Sequence, residues 1–428
     1  MSRTGERRLR ARWVFPVSGP PVAHGMVVLC DGVVTGISER PDLDCEDLGN
    51  TALIPGLVNA HTHLELSDCP VPLTPLQPFT TWIERLLQHR RTRSVPAGVD
   101  GRAEPTPLHR GANECRATGT TLVGDIVDAG WQPEDLPEGS PVMVAFREFL
   151  GLSPGRIPDI LAAAEGYLQS VSRQQLRRAN PAMVVGHTGR CIPGLSPHAP
   201  YSVHPELLTG LVDLACRWRV PLAMHVAETQ AERQLLAGQG GELAEFLKRL
   251  GVWNPEPFRG EWEVFDILQE LARGPRGLVV HGNYLAERER AFLADCPQLS
   301  VVYCPRTHAQ FGHVSHPWRD LLRRGVNVAL GTDSRASNPD LSLWGELQYL
   351  RVVCPDVAPE QLLDLGTRRG ARALGLESVT GRLEAGCRAD LALVVLPDGP
   401  ERSDPHELLF DPASRIVEGW SQDTSNTG

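Results

Sequence analysis

The chain has 428 residues, 41% of them hydrophobic, enough for one large domain with an accessory one or for two domains. Its net charge is -10 and it carries no basic block, which argues against nucleic acid and anionic membrane as partners. No apolar run reaches the roughly eighteen residues of a membrane span. The basic N-terminal stretch lacks the apolar segment of a signal peptide, and the ten cysteines form no CxxC pair, so reduced thiols in a cytoplasmic protein are expected.

In chain order, "RARWVF", "HGMVVLCDGVVTGISE" and "TALIP" read as short strands separated by turn residues such as Asp31-Gly32. Eight further apolar runs follow: "GLVNAHTH", "GTTLVGDI", "PVMVAFREFL", "GLSPHAPYSV", "PLAMHVAET", "GLVVHGNYL", "LSVVYCP" and "NVALGTDS". Helical patterns fit between them, as in "HPELLTGLVDLACRW" and "GELAEFLKRLG". This alternation predicts an α/β fold, a TIM (β/α)8 barrel with insertions. After the eighth unit, "TGRLEAGCRADLALVVLP" returns to turn-rich strands, and the tail "SQDTSNTG" has a disordered composition.

Polar, reactive residues fall at the C-terminal ends of these runs. His61 and His63 end the first, His198 the fourth, His225 and Glu228 the fifth, His281 the sixth and Asp333 the eighth. In a barrel those ends converge on one mouth. Residues i and i+2 of a strand face the same side, so His61 and His63 can reach one cation. Three histidines and an aspartate (His61, His63, His225, Asp333) suit one divalent transition metal, Zn or alternatively Fe. The competing reading is a set of satisfied core histidines and a turn aspartate. Glu228 fits a proton shuttle beside such a metal, or equally an acidic residue at a helix N-terminus.

The stretches "PGLVNAHTHLE", "SPHAPYSVHPE", "MHVAE", "VVHG" and "LGTDS" resemble, in order, the motifs of the amidohydrolase superfamily. Within it they look like the mononuclear aminohydrolase and chlorohydrolase branch. "GARALGLESVTGRLEAGCRADLALV" is similar to that family's C-terminal signature. The resemblance implies a small β-sandwich built from both chain ends, dividing the chain into 1–54 plus 368–415, a barrel over 55–367 and a flexible tail over 416–428. It implies His61, His63, His225 and Asp333 as metal ligands, with Asp333 also catalytic. Glu228 would be the proton shuttle and His281 a hydrogen-bond partner of the attacking water or the developing oxyanion. His198 would contact substrate. Lys248, the one lysine, lies in an amphipathic helical segment and is no candidate for a carboxylated bridge between two metals.

The reaction so implied is attack of metal-activated water on an amino-bearing sp² carbon, releasing ammonia. "CPRTHAQFGH" and "LGTDSRASNPDLSLWGEL" look most like aminofutalosine-deaminase-type sequences, so an aminopurine nucleoside, aminodeoxyfutalosine first, is the expected substrate. Guanine or S-adenosylhomocysteine deamination, triazine dechlorination and cyclic-amide hydrolysis are the alternatives, and a non-catalytic barrel is a third class. Arg147 with Glu148 at the third strand end, His308 in the seventh loop and Trp82 in a helical lid after the first strand are candidate substrate contacts. The expected partner is a small heterocycle, with no nucleic acid and no membrane; a homodimer is left open.

Overall fold

The apolar runs become largely buried parallel strands, as expected of strands covered on both faces. In a computed structural model that describes residues 5–40, 44–93, 105–178, 191–398 and 404–420, eight of them form one sheet in sequential order. They are β1 (Leu57–Thr62), β2 (Thr120–Val127), β3 (Val142–Phe149), β4 (Cys191–Pro197), β5 (Leu222–Val226), β6 (Gly277–His281), β7 (Leu299–Tyr303) and β8 (Asn327–Leu330). The fourth differs from expectation. It starts earlier and ends at Pro197, because Pro200 has no N–H for the ladder and the Ser202 N–H turns back onto the Ala199 carbonyl.

The sheet closes on itself. The Thr332 and Asp333 N–H groups both donate to the His61 carbonyl, each at 3.1 Å. Asn59 and Thr332 exchange side-chain and backbone hydrogen bonds across the same seam, at 2.8 and 3.1 Å. Gly331 permits this approach, since a Cβ there would lie 2.8 Å from the His61 carbonyl oxygen. The result is a (β/α)8 barrel.

Inside it, Val58, Ala60, Leu122, Val144, Phe146, Val280 and Val302 form a separate apolar cluster, plugged from below by Ala371, Ala373 and Leu374. The outer faces of the strands pack against the surrounding helices, Pro205–Trp218 and Glu242–Arg249 among them, in a second, larger core.

Both chain ends build two smaller sheets. Glu6–Arg10, Met26–Cys30, Val33–Ser38 and Glu46–Asp47 form one. In the other, Leu391–Val395 pairs antiparallel with Thr51–Pro55, Leu393 opposite Leu53. Leu9, Val27, Leu53, Leu383 and Leu393 share a core between them. The helix Arg368–Ala373, expected with these sheets, instead packs against β1 and β8 as the barrel plug. We therefore propose the unit boundary after Leu376, on the same cluster. Of the expected tail, residues 421–428 lie outside the described residues, while Arg415–Ile416 is a strand and the Val417 N–H donates to the Leu393 carbonyl. Among the described residues no helix is long and apolar enough to cross a membrane. The ten cysteines form no disulfide.

Candidate active site at the barrel mouth

The register of β1 slips between Asn59 and Thr62. Val58 and Ala60 thus stay in the barrel interior while His61 and His63 both turn to the mouth. Their rings sit 4.9 Å apart at right angles, and His225 lies 5.0 Å from His61. Asp333 Oδ1 is 3.6 Å from the Nε2 atoms of both His61 and His63.

The surrounding bonds aim these groups at one point. His225 Nδ1 donates to the His198 carbonyl at 2.9 Å, because a carbonyl can only accept, and its Nε2 therefore keeps the lone pair. Asp333 Oδ2 accepts from Ser337 Oγ at 2.6 Å, leaving Oδ1 for the centre. His61 Nε2 is buried with no hydrogen-bond partner. Burial, then the neighbouring His61 and His225 rings, holds His63 well below the ordinary imidazole range. Burial, then His61, brings His225 down to about 3. His61, His63 and Asp333 bring their ligand atoms within 4.8 Å of one another, and so do His61, His225 and His281. The orphaned buried nitrogen of His61, common to both groups, would be costly unsatisfied, and these donors fit a metal ion.

Beside this set, Glu228 Oε1 lies 3.6 Å from His281 Nε2. Burial first, then the Asp333 carboxylate, holds the Glu228 carboxyl well above its usual range. Three strand ends here carry left-handed, non-glycine residues: Ala227 at φ 52°, His281 at φ 67° and Asp333 at φ 58°. Such strain clusters at functional sites because the surrounding bonds must over-determine it. The Tyr284 N–H donates to the Ala227 carbonyl, and Asn283 Nδ2 to that of Glu228 at 3.0 Å.

His63, His225, Glu228, His281 and Asp333 form the floor of a cavity of about 600 Å³, and the His61 ring is buried against those of His63 and His225. His198, Glu148, Tyr201 and Ser334 line it close to the floor residues, with His198 Nδ1 2.6 Å from Ser202 Oγ. Trp82 lines it too, its Nε1 donating to the Ala336 carbonyl at 3.2 Å and its ring stacked on Phe79. The outer wall is apolar: Ile83, Leu86, Leu87, Phe246, Leu247, and the exposed rim residues Leu150, Leu250 and Val252.

Two expected contacts are not brought here. Arg147 is absent from the lining. Val142, Val144 and Phe146 face the barrel interior, so alternation sends Glu148 inward and Arg147 outward, over the Phe149 and Tyr167 rings with a bond to the Ala129 carbonyl. His308 is likewise outside, its Nε2 donating to the Val314 carbonyl at 2.8 Å. Arg90 and Arg156 line the cavity instead, and neither was singled out from sequence. Arg90 pairs with Glu65, whereas the Arg156 guanidinium meets no carboxylate among the described residues. Lys248 points elsewhere, toward Glu245 at 2.7 Å and the Trp253 ring.

A 5-methylthioadenosine/S-adenosylhomocysteine deaminase of Moorella thermoacetica is 29% identical over 399 residues, 89% of this chain and 83% of that one. An aminodeoxyfutalosine deaminase of Nitratiruptor sp. is 27% identical over 375 residues, 86% of this chain and 85% of its own. The crystal structure of Helicobacter pylori aminofutalosine deaminase with methylthio-coformycin superposes with a TM-score of 0.76 at 20% identity, covering 96% of this chain and 97% of that one. The sequence profile of the amidohydrolase family matches residues 52–424, from the strand that leads into the barrel to beyond the last strand of the end sheet, and the chain belongs to that family.

Proposed function

We propose that this protein is a metal-dependent hydrolytic deaminase of an aminopurine nucleoside, with one Zn or Fe ion held by His61, His63, His225 and Asp333. The observation that carries this reading is the Glu228–His281 pair, 3.6 Å apart, set against His63, His225 and Asp333 on the floor of one cavity, with the His61 ring buried against theirs. When bound, a divalent metal supplies Lewis acidity and lowers the pKa of a water toward about 7. Glu228 takes the proton of the attacking water and delivers it to a ring nitrogen. His281 hydrogen-bonds the oxyanion as the carbon becomes tetrahedral. Glu228 then takes the proton of the new hydroxyl and passes it to the amine, the carbon–nitrogen bond breaks as the carbonyl forms, and ammonia leaves.

The walls narrow the substrate. Glu148 and His198, half-buried, line the cavity near the floor residues, where ribose hydroxyls would meet a carboxyl acceptor. Beyond them the wall is apolar and ends near Arg156. That sequence of surfaces suits an adenine nucleoside whose 5′ side carries an apolar group and then a carboxylate, as aminodeoxyfutalosine does. The zwitterionic tail of S-adenosylhomocysteine suits it less. Methylthioadenosine, apolar at its 5′ end, is the second reading, favoured by the names of relatives such as the Moorella thermoacetica enzyme.

Two tests follow from the walls. On metal-replete protein, ammonia release should give the highest kcat/KM for aminodeoxyfutalosine. Methylthioadenosine should follow, with S-adenosylhomocysteine, guanine and a chlorotriazine well behind; a chlorotriazine or guanine in first place overturns the nucleoside reading. Arg156→Ala should raise KM for the carboxylate-bearing substrate about 10-fold, the worth of one partly exposed charged hydrogen bond, and leave methylthioadenosine nearly unchanged. Equal effects on both would remove Arg156 from substrate recognition.

A further inference from the structure

Three histidines in the segment after β7, His308, His313 and His316, have no part in the roles above. His308 bonds within its own loop, and His313 Nδ1 lies 3.1 Å from the Tyr284 hydroxyl. His316 differs from both. It is buried, its ring stacks on Tyr303 with centroids 4.1 Å apart, and both ring nitrogens are committed. Nε2 lies 2.7 Å from the His281 carbonyl oxygen, and Nδ1 lies 3.0 Å from the Trp318 backbone nitrogen. A carbonyl only accepts and an amide N–H only donates, so the ring must be the neutral Nε2–H tautomer. The residue it grips is strained: His281 sits at φ 67°, a conformation a β-carbon disfavours. On the other side of the same peptide the Gly282 N–H donates to the Val226 carbonyl at 3.0 Å. The His281–Gly282 peptide is thus clamped from both faces.

We propose that His316 is a positioning residue: by donating to the His281 carbonyl it holds His281 in the left-handed turn that presents its imidazole to Glu228. The kinetic consequence rests on the deaminase reading above; the clamp itself does not.

Asn and Gln at this position separate the two bonds. His316→Asn places an amide near Nδ1, within reach of the Trp318 N–H but short of the His281 carbonyl. His316→Gln extends an amide nitrogen to where Nε2 lies. The Asn variant should lose about 10- to 100-fold in kcat, the usual effect of a misplaced group held by an outer partner, with KM within about 3-fold and metal content unchanged. The Gln variant should recover most of that loss. Equal kcat in the two variants, or a change confined to KM, overturns the proposal.

Backbone hydrogen exchange over residues 281–284 gives a reading independent of turnover. It should be faster in the Asn variant than in the Gln variant. If it is, and the wild-type protein deaminates none of the nucleosides tested, the deaminase reading fails while the clamp stands. If exchange does not separate the variants, the clamp fails whether or not the protein deaminates. Should the Asn variant not fold, the nitrogen-15 shifts of His316 in the wild-type protein decide the matter: an Nε2–H ring is expected, and an Nδ1–H or doubly protonated ring overturns the assignment.

Discussion

Glu228→Gln keeps its metal and loses about 100- to 10,000-fold in kcat, the usual contribution of a positioned proton-transfer group. The amide is close in shape to the carboxyl, so the backbone bonds that hold this residue, from Asn283 and around Ala227, are untouched. What disappears is the ability to take a proton and give it back. Burial and the Asp333 carboxylate raise the Glu228 carboxyl, which makes it a better proton acceptor than an exposed glutamate. KM should move little, because the site still closes around the same heterocycle. Elemental analysis of the variant separates the roles. Loss of metal along with activity would make Glu228 a ligand or a structural residue, and the shuttle assignment would fall.

His63→Ala should behave in the opposite way, losing metal and activity together. The wild-type protein should carry about one equivalent of Zn or Fe, as expected for three or four protein ligands and an open position. Removing His63 takes one nitrogen from the set and leaves Asp333 Oδ1 facing His61 alone. Added Zn should restore a chelator-treated wild-type protein but not this variant. Two equivalents in the active wild-type protein would displace the one-metal reading. Lys248, on a helix and turned toward Glu245 and Trp253, offers no carbamate for a second ion.

The floor of the site was legible in the sequence because each of its residues ends an apolar run, and parallel strands bring such ends together whatever the loops do. Even so, simple alternation would have set Ala60 and His61 on opposite sides; the slip in β1 that reconciles them has no sequence signal of its own. Arg147 and Glu148 show the same limit from the other side. Both sit at the end of β3, and only the inward Val142, Val144 and Phe146 decide which of the two faces the mouth. His308 and His316 share a loop, yet one closes that loop and the other reaches back to His281. The rim could not be read at all. Arg156 comes from the segment after β3 and Leu250 and Val252 from the one after β5, and nothing local to them says that they share a cavity.

The seam between β8 and β1 sets when this protein can become active during its synthesis. Thr62 and Asp333, bonded side chain to backbone across it, are 271 residues apart, and Asn59 and Thr332 are 273 apart. A chain emerging from the ribosome carries His61 and His63 long before the aspartate that completes their set. For most of translation those histidines have no barrel to sit in. The plug at Arg368–Ala373 and the strand Leu391–Val395, which pairs with Thr51–Pro55, arrive later still. Contacts this distant in sequence form slowly and late. The proposed four-residue set is therefore complete only late in the chain, and a chain cut short before Asp333 lacks the carboxylate however well its first seven units fold.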